Sequence, residues 1–167
     1  YDRPMSAYNF GVEAVRELIG APEDVRRFDM ALIVANGDLA LGRVNELQEY
    51  RPSVPHAHTS ELCRELVLWA WTREASDVVF VGPAVKAALD AATRLSLKFS
   101  DEIPLIDRGD TRKKVARLAA ALACRLYSTD DGKRVIVTTQ HVEYVANMLD
   151  RIYSGPSMGY YDYSEAV

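Results

Sequence analysis

The chain has 167 residues, 49% hydrophobic and 26% charged, which is enough to bury a core and suits one soluble domain with or without an appendage. Its net charge of −4 argues against a protein that coats nucleic acid or anionic membrane with its whole surface, while leaving room for a local basic patch. No apolar stretch reaches the ~20 residues of a membrane helix, no signal peptide is visible, and the start at Tyr1 rather than Met fits a piece of something longer.

"NFGVEAVRELIG" (residues 9–20) sets Val12, Val15, Leu18 and Ile19 at helical spacing, with Gly20 as a C-terminal cap and Pro22 barring continuation. A short turn or helix, "PEDVRR", comes next. The apolar run Met30–Ala35 lacks polar residues at alternate positions, so it reads as a strand buried on both faces, as inside a parallel sheet. A lone strand cannot hold itself together, and the chain offers it few partners. Pro52 and Pro55 in "YRPSVPHAHTS" mark an extended connector, and a subdomain boundary is placed at residue 51.

Beyond the connector the pattern turns helical. Ser60 is expected to cap a helix reaching about Glu74, with Leu62, Leu66, Trp69 and Cys63, Val67, Ala70 forming a wide apolar face. "DVVFV" is a short extended piece, and Gly82-Pro83 opens a second helix whose apolar row is Val85, Leu89, Ala92 and Leu95. A third helix spans about Thr111 to Tyr127, capped by Asp110, with Val115, Leu118, Leu122 and Leu126 inward. "TDDGKRVIV" is a turn and a small strand; Thr138 or Thr139 then caps a last helix with Val142, Val145, Leu149 and Ile152 inside. The closing "GPSMGYYDYSEAV" resembles a docking tail or linker. The fold class expected is mainly α, a four-helix bundle preceded by a helix and one buried strand.

Two groups of cations invite a functional reading. Arg112, Lys113, Lys114 and Arg117, with Arg108 before them, crowd the start of the third helix, where cations oppose the helix dipole. They read either as a solvated basic face or as an anion site in which a helix start and converging guanidinium groups suit a phosphate. Arg26 and Arg27 read either as surface charges pairing with Glu23, Asp24 or Asp29, or as guanidinium groups facing a nucleotide phosphate at the mouth of a parallel sheet. His56, His58 and Cys63 lack an evident fourth ligand for structural zinc, so no metal site is assigned. Cys63 and Cys124 are expected as buried free thiols of a reducing cytoplasm, and His141 as a helix-surface residue. The chain carries no P-loop, no "HExxH" and no "GxSxG".

The order of these pieces resembles a known family. "VRRFDMALIV" is similar to the Ser-Arg-Phe-Asp and apolar strand of minichromosome-maintenance (MCM) helicases, "RLAAALACRLYS" to their "RLAEAHARM"-like helix, and "VIVTTQHVEYVANML" to the helix that follows. The resemblance covers about residues 20–153 and implies the C-terminal half of an AAA+ ATPase domain. It divides the chain into a remnant of the α/β core (1–50), a helical lid (51–153) and a tail or linker (154–167). It makes Arg27 the match to the arginine finger that reaches a neighbouring subunit's ATP, with Arg26 standing where the family has Ser and able to serve instead. It makes Arg112 the match to the lid arginine called sensor 2, with Arg108 as competitor because Arg112 lies closer to Arg117 than the family spacing. ATP and Mg²⁺ would be held by the assembled parent, an oligomer and probable ring acting on DNA, whereas this chain alone should hydrolyse nothing. A helical interaction module without nucleotide chemistry, docking through the Trp69/Trp71 helix or the tyrosine tail, is the alternative; DNA binding by the basic helix is a third.

Overall fold

The computed structural model describes residues 7–35, 37, 38, 42 and 59–167. The boundary set at residue 51 lies outside the described residues, as do His56 and His58. Among the described residues no helix is long and apolar enough to cross a membrane.

The first helix, α1 (Val12–Ile19), starts where the Glu13 carboxylate accepts the N–H groups of Asn9 (3.1 Å) and Phe10 (2.9 Å), which the helix start leaves open. It stops at Gly20, whose φ of +91° suits glycine, and Pro22 opens the short α2 (Pro22–Arg26). After the undescribed stretch come α3 (Ser60–Trp71), β1 (Val78–Phe80), α4 (Ala84–Lys98), α5 (Thr111–Arg125), β2 (Val135–Val137), α6 (Thr139–Tyr153) and α7 (Tyr160–Ala166). The two extended pieces read from the sequence pair with each other, parallel, with Val78 opposite Val135 and Phe80 opposite Val137. The crossover between them holds α4 and α5.

The architecture is mainly α, and its core is the packing of α4, α5 and α6 on one another. Small residues make that contact: Ala88 and Ala91 on α4, Ala119 and Ala123 on α5, Ala146 on α6. The expected rows are therefore partly displaced. Val85, Leu89 and Leu126, read as inward, are exposed, because they lie off the faces on which Leu95, Val115, Val142 and Leu149 are buried beside the alanines. Helix α3 is not a full member of a four-helix bundle, since none of its residues is fully buried. Its cap is Thr59 rather than Ser60, and Trp69 anchors it: the indole Nε1–H donates to the Gly132 carbonyl (2.6 Å) and the ring meets Tyr127 edge-on.

The run Met30–Ala35, expected as a strand buried on both faces, forms no strand. A ladder needs a neighbour, and among the described residues it has none. Ala31 and Ile33 rest against the core, whereas Leu32 (63%) and Val34 (68%) face outward.

Residues 154–167, expected as a tail or linker, are part of the core. Met158, Tyr160 and Tyr163 are buried, and Tyr160 forms an aromatic cluster with Phe99 and Tyr153, ring centres 5.0–5.7 Å apart. Val12 N–H donates to the Met158 carbonyl (2.8 Å), and the Phe10 and Tyr163 rings meet edge to face, so α7 ties α1 to the bundle. The tyrosines looked like a recognition tail because their partners lie some sixty residues away in sequence. Tyr160→Ala should cost about 3–5 kcal/mol of unfolding free energy, against under about 0.5 for the exposed Tyr144→Ala. Equal urea midpoints for the two variants would remove the keystone role.

His141, expected at the surface, is buried at the third position of α6, where its Nδ1 accepts the Thr138 N–H (3.0 Å) in a capping box. That bond requires an unprotonated Nδ1, and burial lowers the imidazole's pKa from 6.5. The folded state thus binds fewer protons than the unfolded one. Its contribution is fully present above about pH 6.5 and is lost as pH falls through the depressed folded value. His141→Gln keeps a capping acceptor that does not titrate, so a denaturation series should show the wild-type-minus-variant difference shrinking below about pH 6.5.

Candidate functional site: an arginine cluster around the start of α5

The loop that leads into α5 is organised by Asp107. Its Oδ1 accepts the N–H groups of Gly109 (2.7 Å) and Asp110 (3.1 Å), and its own N–H donates to Thr111 Oγ1 (2.9 Å). The Asp107 carbonyl accepts the Thr111 N–H (3.0 Å), closing the first turn. Asp110 occupies the cap position read from the sequence but caps nothing. Its carboxylate instead meets Lys113 Nζ at 2.8 Å, and that contact holds its pKa below the usual carboxylate value.

Helix α2 delivers Arg26 and Arg27 beside this loop, and the structure separates their circumstances. Arg26 Nε lies 3.1 Å from Asp107 Oδ2, whose side chain is only 17% exposed. Arg27 is 80% exposed and, among the described residues, pairs with Asp24 alone, one helical turn back, at 3.2 Å. A second bridge flanks the pair: Arg117 Nε donates to Asp29 at 2.9 and 3.1 Å. Glu23, Arg26, Arg27, Asp110, Lys113 and Arg117 line a shallow hollow of about 380 Å³.

Arg108 and Arg112 open onto a different depression, about 420 Å³, between α4 and α5, with Leu89, Thr93 and Leu97 along it. Neither arginine has an ion-pair partner among the described residues. The arginines assigned as finger and as lid residue are thus brought together within each pair but not into one hollow. Asp107, adjacent to Arg108 in sequence and bonded to Arg26, is the link between the two.

Lys114, counted with the basic face, points inward. It is buried, and its ammonium donates to the carbonyls of Leu105 (2.7 Å) and Pro104 (3.3 Å). Burial lowers its pKa from 10.5, against the pull of Asp29, Asp107 and Asp110. The signal was present in the sequence, because residue 114 shares a helical face with the buried Thr111 and Val115. Among the described residues no cluster of His, Cys, Asp or Glu could hold a metal ion. Cys63, expected buried, is exposed; Cys124 is half-buried, its pKa raised by burial, and both are free.

The chain matches no family model, no curated protein and no solved structure.

Lys114→Met removes the donor and leaves two buried carbonyls unpaired, so it should lower stability by about 1–3 kcal/mol. Lys113→Met, at an exposed site, should change it by less than about 0.5. Equal thermal midpoints would show that the Pro104–Leu105 turn does not depend on the ammonium.

Proposed function

We propose that the chain is the arginine-finger and lid segment of an AAA+ ATPase similar to MCM helicases, acting in the cytoplasm as part of an oligomer that couples ATP hydrolysis to DNA unwinding or translocation. The observation that carries this reading is the extended run after Arg27. Residues 30–34 have no backbone hydrogen bond to other described backbone, and Met30, Leu32 and Val34 present an apolar row outward. A segment with an apolar outward row and no bond to other described backbone suits a strand that a larger sheet would complete. Two arginines stand just before it, at the amino end of the run, where they would face away from the carboxyl-end crevice of the same sheet and towards a neighbour.

The residues fit nucleotide phosphate in charge and exposure. Arg108 and Arg112 offer guanidinium groups that no carboxylate occupies among the described residues, and Arg27 has only an exposed partner to give up. ATP with Mg²⁺, when bound by the assembled parent, supplies the transferable phosphoryl group. Arg27 would place positive charge against it from a neighbouring subunit, and Arg112 or Arg108 would orient it from the lid.

In the assembled parent, Arg27→Ala should lower ATP turnover by roughly 10³-fold or more. Mixing that variant with a subunit dead in its own phosphate-binding loop should restore part of the activity, because each supplies what the other lacks. Normal turnover by Arg27→Ala would sink the finger assignment.

One observation favours the interaction module instead. Helix α3 leaves Leu62, Val67, Leu68 and Trp71 exposed, and a hollow of about 990 Å³ lies between it and the end of α5. In that reading neither arginine pair affects any turnover, and Trp71→Ala releases the partner.

A further inference from the structure

Each of the two arginines on α2 could act as the finger on sequence grounds, and the charges around them separate the two. Arg27 is nearly free. Arg26 is engaged by a carboxylate that has no freedom of its own, since Asp107 is fixed by the amides of Gly109 and Asp110 on one oxygen and by Thr111 through its backbone. The Arg26–Asp107 contact therefore joins α2 to the turn that carries Arg108 and to the helix start that carries Arg112. The Arg117–Asp29 bridge joins the segment just after α2 to the second turn of α5, on the far side of Arg27. The two contacts bracket Arg27, whose ion pair among the described residues is the exposed one with Asp24.

We infer that Asp107 is a positioning residue: through Arg26 it locks α2 onto the first turn of α5, so that Arg27 is presented outward and moves as one body with Arg108 and Arg112. The inference rests on the nucleotide reading above for its consequence in turnover, but the strap itself is a property of this chain. It assigns Arg27 as the reaching arginine and Arg26 as a support. It also makes the two arginine hollows mechanically dependent, because a shift of the Asp107 turn moves both.

Asp107→Asn tests it with little risk to folding, because asparagine keeps a carbonyl oxygen for the Gly109 and Asp110 amides and replaces the charged oxygen that Arg26 meets with a donor NH2. Arg26→Gln cuts the same strap from the other side. On this chain, the Arg26 Nε–H should exchange with solvent about tenfold more slowly in wild type than in Asp107→Asn, as read by NMR, while the Arg27 Nε–H exchanges fast in both. In the assembled parent, each variant should lower kcat for ATP by about tenfold through misplacement of Arg27, with KM unchanged. The double variant should be no slower than either single, because both remove one strap.

Equal Arg26 exchange in wild type and Asp107→Asn overturns the strap. Additive losses in the double variant overturn the claim that Asp107 acts through Arg26. A wild-type parent that does not turn over ATP sinks the nucleotide reading, and the exchange measurement then decides the strap by itself.

Discussion

The structure depends on how one irregular, buried loop satisfies its backbone. Between α4 and α5 the chain runs through Ile103, Pro104, Leu105 and Ile106 with all four buried, yet without helix or strand to pair their carbonyls. Within the loop the Leu105 N–H donates to the Ile103 carbonyl (2.7 Å); a buried carbonyl left unpaired costs as much as a lost hydrogen bond, so side chains from elsewhere reach in as well. Tyr160 Oη lies 2.7 Å from the Ile103 carbonyl and also meets that of Ser100, while Lys114 Nζ takes those of Pro104 and Leu105. The loop's needs bring α7 into the core and turn a lysine inward.

From that obligation the rest follows in order. With Tyr160 committed, α7 must lie across the end of α4, where Ser164 Oγ accepts the Ser100 N–H, and its N-terminal side receives α1 through Met158 and Val12. With Lys114 committed, the first turn of α5 is held against the loop, which positions Asp107 to organise its own turn and to engage Arg26. The candidate site is built on backbone obligations settled deeper in the fold.

Local chemistry made much of this legible in the sequence. The spacing of apolar residues gave α1, α4, α5 and α6, Gly20 and Pro22 marked their punctuation, and "DVVFV" and "KRVIV" were seen as extended pieces. What stayed hidden was set by distant partners. Whether Tyr160 and Tyr163 dock outward or fold inward depends on the Ser100 and Ile103 carbonyls and the Glu102 carboxylate, some sixty residues away. Lys114 looked like one more cation in a basic run, although its helical face was that of Thr111 and Val115. Met30–Ala35 has the composition of a buried strand, but burial on both faces is a property of neighbours, and composition cannot supply them. The arginines were legible as a cluster; which of them is tied and which is free was not, because that depends on Asp107, a residue across the fold from Arg26.

That distinction bears on how a cation cluster should be read. Five carboxylates, Glu23, Asp24, Asp29, Asp107 and Asp110, stand among Arg26, Arg27, Lys113 and Arg117, so the hollow by α2 is no bare well of positive charge. An anion entering it must displace carboxylates, and the ease of displacement differs sharply from one pair to the next. Exposed pairs one helical turn apart, such as Arg27 with Asp24, are screened by water and hold weakly. A pair whose carboxylate is largely buried and fixed by backbone amides, such as Arg26 with Asp107, cannot follow a departing arginine and would leave that charge unpaired. Charge counting would rank the two arginines alike. The carboxylates rank them by what each would have to give up, and on that scale Arg27 is the one prepared to leave.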